Sequence, residues 1–212
     1  MKLTNLKITE FINEVDSKSP APGGGSVSAL ASSLGVALSR MVGHLSVGKK
    51  KFKALDEEIQ VEFRNTIESL EAIKEELVDL IDKDTEAFNL IMAAFKLPKE
   101  TTEEKAHRSL KIEEGTLEAI KVPYRVAEIS LDAVSKFKII KQYGNKNTLS
   151  DLGVSTLMLS AGIDGALMNV KINLPGITDE ETKAFYTKNV NDIYETNHQL
   201  RDEIVEDIFS KL

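Results

Sequence analysis

The sequence predicts an all-α fold, a bundle of long antiparallel helices with a buried small-residue helix after a glycine-rich turn. Three observations point to it. Apolar residues recur at three- and four-residue steps through most of the 212 residues, the period of helices with one buried face. The interruptions are Pro and Gly clusters, at Ser19-Pro20-Ala21-Pro22-Gly23-Gly24, Leu97-Pro98, Gly144-Asn145 and Leu174-Pro175-Gly176, of the kind that stop helices. The one alternating stretch, residues 170–174, is too short to build a sheet.

The elements follow in order. Residues 9–17 form a short helix with Phe11, Ile12 and Val15 as its apolar side. Residues 25–47 form a second helix, mostly Ala, Ser, Gly, Val and Leu, so that neighbouring backbones approach closely. Gly48 ends it, and Lys49, Lys50 and Lys51 follow. Residues 54–96 form one long helix whose seam runs through Leu70, Ile73, Leu77, Leu80, Asp84, Phe88, Ile91 and Phe95. Thr101 with Glu104 reads as a capping box for the next helix. Pro123 is expected to kink or restart that helix, which continues in period to Tyr143. Residues 148–170 form a second core-like helix, and Thr178 with Glu181 reads as the capping box of the last one. The whole, residues 1–212, is read as a single domain.

The bulk properties narrow the function. A chain of this length buries about 70% of its unfolded surface and needs no metal or disulfide staple. Cysteine is absent, which excludes disulfides, cysteine–zinc sites and thiol catalysis and fits a cytoplasmic setting. A net charge of −7 argues against a nucleic-acid surface, which needs a basic face. Residues 24–47 and 152–174 are apolar but rich in Gly and Ser, with Arg40, His44 and Asp164 inside them. They read as core helices of a protein with no membrane partner. His44, His107 and His198 show no ligand spacing, so no metal is expected.

Four features could carry chemistry. Gly23, Gly24, Gly25 and Ser26 open a helix with free N–H groups and no side chains in the way, a place for an anion or a polar ligand edge. The ending of a phosphate-binding P-loop is missing, and no strand precedes as a dinucleotide turn requires; the same glycines also serve close helix packing. Asp84 takes a seam position between Leu80 and Phe88, where an ionised carboxylate is costly unless paired. Burial there raises its pKa and makes it a candidate proton carrier, or else a polar core residue bonded to a backbone donor. Asp82 points away and reads as solvated. Asp151, Ser155, Met158, Gly162, Ala166, Asn169 and Asn173 share one helix face, polar at its ends and small in the middle. That face is built for a ligand or another helix to lie against, while Thr148-x-x-Asp151 also has capping-box spacing. Lys49, Lys50 and Lys51 read either as a solvated run or as the counterpart of an anionic substrate tail.

Taken in order, these segments resemble one family. The run Ser19-Pro20-Ala21-Pro22-Gly23-Gly24-Gly25-Ser26, Met41-Val42 and Lys49-Lys50-Lys51-Phe52 resembles the opening of formiminotetrahydrofolate cyclodeaminases. Ile81-Asp82-Lys83-Asp84-Thr85-Glu86-Ala87-Phe88, Leu97-Pro98, Val122-Pro123, Gly144-Asn145-x-Asn147, Ser150-Asp151 and Asn169-Val170-x-Ile172-Asn173 continue the likeness. Ser46 stands where the family favours Thr, and Gly115 lies in a helix it fills with Ala. The resemblance implies an all-α homodimer or larger assembly that binds tetrahydrofolate derivatives between helices. It implies a cyclodeaminase, which converts 5-formiminotetrahydrofolate to the 5,10-methenyl compound and ammonia. The alternative is a methenyltetrahydrofolate cyclohydrolase, and a non-enzymatic helical scaffold is the third reading. Either enzyme needs one positioned carboxyl group as proton carrier, and no cofactor beyond the folate substrate. Asp84 is the expected acid/base, with Asp151 the alternate base or pterin anchor. Asn145, Asn169 and Asn173 would hold ring edges, the glycine turn would contact the ligand through its backbone, and Lys49 and Lys50 would meet the glutamate carboxylates.

Overall fold

The computed structural model describes residues 2–212 and is helical throughout, with no strand among them. Its α-helices are α1 (Ile8–Val15), α2 (Gly24–Val47), α3 (Lys50–Lys53), α4 (Glu57–Phe95), α5 (Thr102–Ser135), α6 (Phe137–Tyr143), α7 (Leu149–Asn173) and α8 (Glu180–Phe209). Helix α2 packs on α4 and α7, and α5 packs on the same two from the opposite side. These four run up, down, up and down around one core, and α8 covers α7 and α5.

Close approach between α2 and its neighbours comes from small residues. A Cβ on Gly43 would lie 2.1 Å from Ile67 of α4, and one on Gly35 would lie 2.9 Å from the Ser155 carbonyl of α7. Several buried serines of α2 return their hydroxyls to their own helix: Ser28 donates to Gly24, Ser39 to Val36 and Ser46 to Val42, whereas the buried Ser32 hydroxyl finds no partner among the described residues. Ser155 instead donates across the seam to the Gly35 carbonyl at 2.6 Å. The small middle of the α7 face is therefore filled by α2. Helix α2 is long and apolar enough to cross a membrane, but here one side of it is core.

Several expectations are corrected. Asp82 is not solvated but buried, accepting from the Leu3 N–H and from Thr4 Oγ1 at 2.7 Å. It ties the N-terminal segment to α4, a partner too distant in sequence for helix periodicity to reveal. The seam holds through Leu80, but Phe95 emerges at the last turn of α4, where Arg108 stacks on its ring. In α1 only Phe11 is buried, while Ile12 and Val15 lie at the surface. Pro123 sits inside an unbroken α5, whereas a break comes after Ser135, where Phe137 turns inward to full burial. The cap of α8 is Asp179, accepting from the Thr182 N–H at 2.8 Å, because Thr178 is held by Glu113 of α5. The capping box at Thr101 and Glu104 forms as spaced. Thr148 does not cap with its side chain; it donates to the Asn145 carbonyl at 2.8 Å.

Candidate active site

The first turn of α2 and the middle of α4 meet at one end of the bundle. The Ser26 N–H and hydroxyl both donate to Asp84 Oδ2, at 2.8 and 3.0 Å. Ser26 Oγ also lies 3.2 Å from Thr85 Oγ1. Asp84 Oδ1 accepts from no protein donor among the described residues, and it lies over Gly25. A Cβ there would be 1.9 Å from it. Glycine is thus required at position 25 to admit the carboxylate, not to shape the backbone, since no glycine has positive φ.

Burial pushes the Asp84 carboxyl above its usual range, and the two Ser26 bonds hold it back. The nearest ion-paired lysine on α4, Lys83, is engaged by Asp79 at 2.6 Å. The carboxylate therefore rests on dipoles alone: one helix N-terminus and one hydroxyl. A group held this way can exchange a proton through its free oxygen while its other oxygen stays anchored.

The C-terminal end of α7 completes this corner. Asn169 Nδ2 donates to the Gly165 carbonyl at 2.8 Å, and a Cβ on Gly24 would lie 2.9 Å from the same nitrogen. Asn173 Nδ2 donates to the Asn169 carbonyl at 2.9 Å and reaches the Ala119 carbonyl of α5 at 3.3 Å. The Asn173 amide nitrogen is thereby committed to backbone and that of Asn169 in part, and both side-chain oxygens are left as acceptors. The N–H groups of Gly24 and Gly25 precede the first intrahelical bond of α2 and remain donors.

The other expected residues lie at the opposite end. Gly25 and Ser46 are separated by roughly 31 Å along α2. Ser46 Oγ accepts from the Asn145 N–H at 2.7 Å, and Asn145 Oδ1 accepts from the Asn147 N–H at 3.1 Å. Asn145 is thus the cap of a turn. Around it lies a cavity of about 460 Å³ lined by Lys49, Lys50, Lys51, Tyr143 and Lys146. Lys49, Lys50 and Lys51 make no ion pair among the described residues. Asp151 stands in the first turn of α7, about 27 Å along the helix from Asn169. One chain therefore gathers Gly23, Gly24, Gly25, Ser26, Asp84, Asn169 and Asn173 in one place, and Lys49, Lys50, Asn145 and Asp151 in another. Sequence reasoning missed Thr85 and Lys146, although Thr85 adjoins Asp84 and Lys146 sits within the Gly144-Asn145 turn. No cluster of metal-ligating side chains occurs among the described residues.

Residues 7–192 match the family model described as formiminotransferase-cyclodeaminase. The formimidoyltransferase-cyclodeaminase of Gallus gallus is 41% identical over 93% of this chain and 36% of its own length. This chain thus spans about a third of that relative. The methenyltetrahydrofolate cyclohydrolase of Methylorubrum extorquens is 33% identical over 98% of both chains. The crystal structure of formiminotetrahydrofolate cyclodeaminase from Thermotoga maritima superposes with a TM-score of 0.79 at 26% identity, covering 100% of this chain and 98% of that one.

Proposed function

Because the chain belongs to the formiminotransferase-cyclodeaminase family, we propose that it is a formiminotetrahydrofolate cyclodeaminase, acting in the cytoplasm as a homodimer. Its substrate is a tetrahydrofolate derivative, and it uses no further cofactor. The observation that carries this reading is Asp84: a half-buried carboxyl with one oxygen fixed by Ser26 and the other free above Gly25.

The reaction joins N10 to the formimino carbon on N5 and expels the amino group as ammonia. Starting from the protonated formimino group, an amidinium, the N10–C bond forms, the C–N bond to the amino group breaks, and the N10 proton ends on the departing nitrogen, giving ammonia and the methenyl cation. One carboxylate balances this by taking the proton from N10 and giving it to the leaving group. Asp84 Oδ1 has that role, and the raised affinity of its carboxyl for a proton suits the delivery step. Fixing N5, the one-carbon unit and N10 in one geometry supplies much of the remaining acceleration. The Asn169 and Asn173 side-chain oxygens accept from pterin N–H groups, and the Gly24 and Gly25 N–H groups donate to pterin acceptors.

The end-to-end match to a named cyclohydrolase supports a second reading, addition of water to the methenyl carbon and opening of the ring. The same carboxyl serves it, taking a proton from water. Purified protein supplied with 5-formiminotetrahydrofolate should release ammonia as methenyl absorbance appears. Decay of methenyl absorbance without turnover of the formimino substrate would select the cyclohydrolase. Absence of both, with no thermal stabilisation by a reduced folate, would overturn the assignment.

A further inference from the structure

The anchored oxygen of Asp84 is held partly by a hydroxyl, and a hydroxyl can turn. We propose that Thr85 is a positioning residue for the reaction: through Ser26 it fixes the direction of the hydroxyl that holds Asp84 Oδ2, and so keeps Oδ1 as the oxygen that carries the proton. The inference rests on the folate reading above.

Three side chains make a line. Ser26 Oγ lies 3.0 Å from Asp84 Oδ2 and 3.2 Å from Thr85 Oγ1. An ionised carboxylate only accepts, so the Ser26 hydroxyl donates to it. That commits the one proton Ser26 Oγ has, so Thr85 donates to Ser26. The direction from Thr85 through Ser26 to Asp84 thus follows from the charge at its end. Each donor polarises the next, which strengthens the bond on the carboxylate.

Neither hydroxyl takes the partner that a helix offers. Thr66, Thr116, Thr156 and Thr196 each donate to the carbonyl four residues back. Thr85 instead faces Ser26 across the contact of α4 with α2. Ser28 and Ser46 also return to the carbonyl four residues back. Ser26 stands in the first turn of α2, where the fourth residue back is Pro22, ahead of the helix. Ser26 is also fully buried, so its hydroxyl serves the carboxylate and not the ligand.

A carboxyl can take its proton on either oxygen. Oδ2 accepts from the Ser26 N–H at 2.8 Å, which cannot turn, and from the Ser26 hydroxyl, which can. A Ser26 hydroxyl rotated toward Thr85 would open Oδ2 to the proton, on the buried side of the group. By donating to Ser26, Thr85 removes the acceptor that such a rotation needs. The proton is left to Oδ1, over Gly25.

Among the described residues, no ion pair reaches Asp84. On α4, Lys83 pairs with Asp79, Asp82 is held by Leu3 and Thr4, and Glu86 is exposed. Helix α2 has no ionisable side chain before Arg40, which pairs with Glu71. On α5, Glu118 and Lys121 pair with each other at 2.7 Å. Lys171 of α7 and Lys2 are exposed.

The test compares wild type with Thr85→Val, which keeps the shape and removes the hydroxyl, and with Thr85→Ser, which keeps the hydroxyl. With 5-formiminotetrahydrofolate, Thr85→Val should lower kcat by about 10-fold, leave KM within about twofold, and move the acid limb of the rate profile up by about half a pH unit. The shift is upward because the donor line to Oδ2 favours the ionised carboxyl. Thr85→Ser should return all three toward wild type. A raised KM with unchanged kcat would make Thr85 a ligand contact and overturn the proposal, as would an unmoved pH profile. The readout independent of turnover is stability against pH. A carboxyl whose folded-state pKa is raised loses stability as pH rises through that value. Thr85→Val should therefore lose more stability than wild type between about pH 4 and about pH 8. In an Asp84→Asn background that extra loss should vanish. An equal loss in both backgrounds would show that Thr85 only packs. Coupling to Asp84 in the melts, with neither the formimino nor the methenyl substrate turned over, would instead overturn the functional reading.

Discussion

Gly25 is glycine because Asp84 occupies the space its Cβ would fill, 1.9 Å from Oδ1. The neighbouring Ser26 pins the other oxygen from the same turn. Residue 25 therefore reports directly on the carboxylate. Gly25→Ala should push Asp84 off Ser26 and lower kcat/KM by at least about 10²-fold. It should also destabilise the protein by about 1–3 kcal/mol through overpacking and lost hydrogen bonds. In an Asp84→Gly background the same change meets no carboxylate, and alanine in the first turn of a helix should then stabilise by up to ~1 kcal/mol. Chemical denaturation of the four proteins measures this reversal of sign. Equal effects in both backgrounds would mean that the carboxylate does not sit over Gly25.

The Asp84 carboxyl also predicts a pH dependence. Burial raises its pKa in the folded state above its ordinary value of 3.8. Between the unfolded and folded values the native state binds more protons than the unfolded state, so stability falls as pH rises through that window. Asp84→Asn cannot ionise, and its side-chain oxygen can still accept from Ser26. The variant should be more stable than wild type at neutral pH, with the advantage fading as pH falls through the raised folded-state value and gone once pH is below the ordinary 3.8. Its rate should fall at least about 10²-fold while reduced-folate binding persists. Thermal melts across pH, with turnover at pH 7, check both halves.

Asp82 and Asp84 show what sequence reading could and could not resolve. Heptad counting places Asp84 toward the core, and burial plus Ser26 explains its retention there. The same counting sends Asp82 to solvent, yet the chain before α1 folds back and buries it under Leu3 and Thr4. Long periodic helices and their Pro and Gly stops were legible because each is set within a few residues. The division of the expected site into two ends was not, because the antiparallel packing of α2 against α7 separates positions that motif order alone had grouped.

That division of labour between the two carboxylates makes Asp82 a control. Asp82→Ala leaves the Leu3 N–H and the Thr4 hydroxyl without their partner, a cost of about 1–3 kcal/mol. It should speed amide exchange at Leu3 and expose the first residues to proteolysis, while kcat stays within about twofold of wild type. A loss of rate comparable to that of Asp84→Asn would move the chemistry to Asp82 instead.

The seam between α2 and α7 should tolerate no added methyl at Gly162. A Cβ there would lie 2.1 Å from Ser32 Oγ and 2.8 Å from the Ser28 carbonyl oxygen. The hydroxyl can rotate away, but the carbonyl belongs to the backbone of α2, so Gly162→Ala must push the helices apart. The expected cost is about 1–3 kcal/mol, and Ser32→Ala should not rescue it, since the Ser28 carbonyl remains. Gly48, with nothing within 4 Å of its Cβ position, is the matching control: alanine there should be neutral or stabilise by about 0.4–1 kcal/mol. Because Ser28 bonds Gly24 and Gly24 abuts Asn169, widening the seam also separates the two sides of the Asp84 corner. Gly162→Ala should therefore raise KM for the folate, whereas Gly48→Ala should leave it unchanged. A destabilised Gly162→Ala with wild-type KM would show that the α2–α7 spacing carries stability without positioning the ligand.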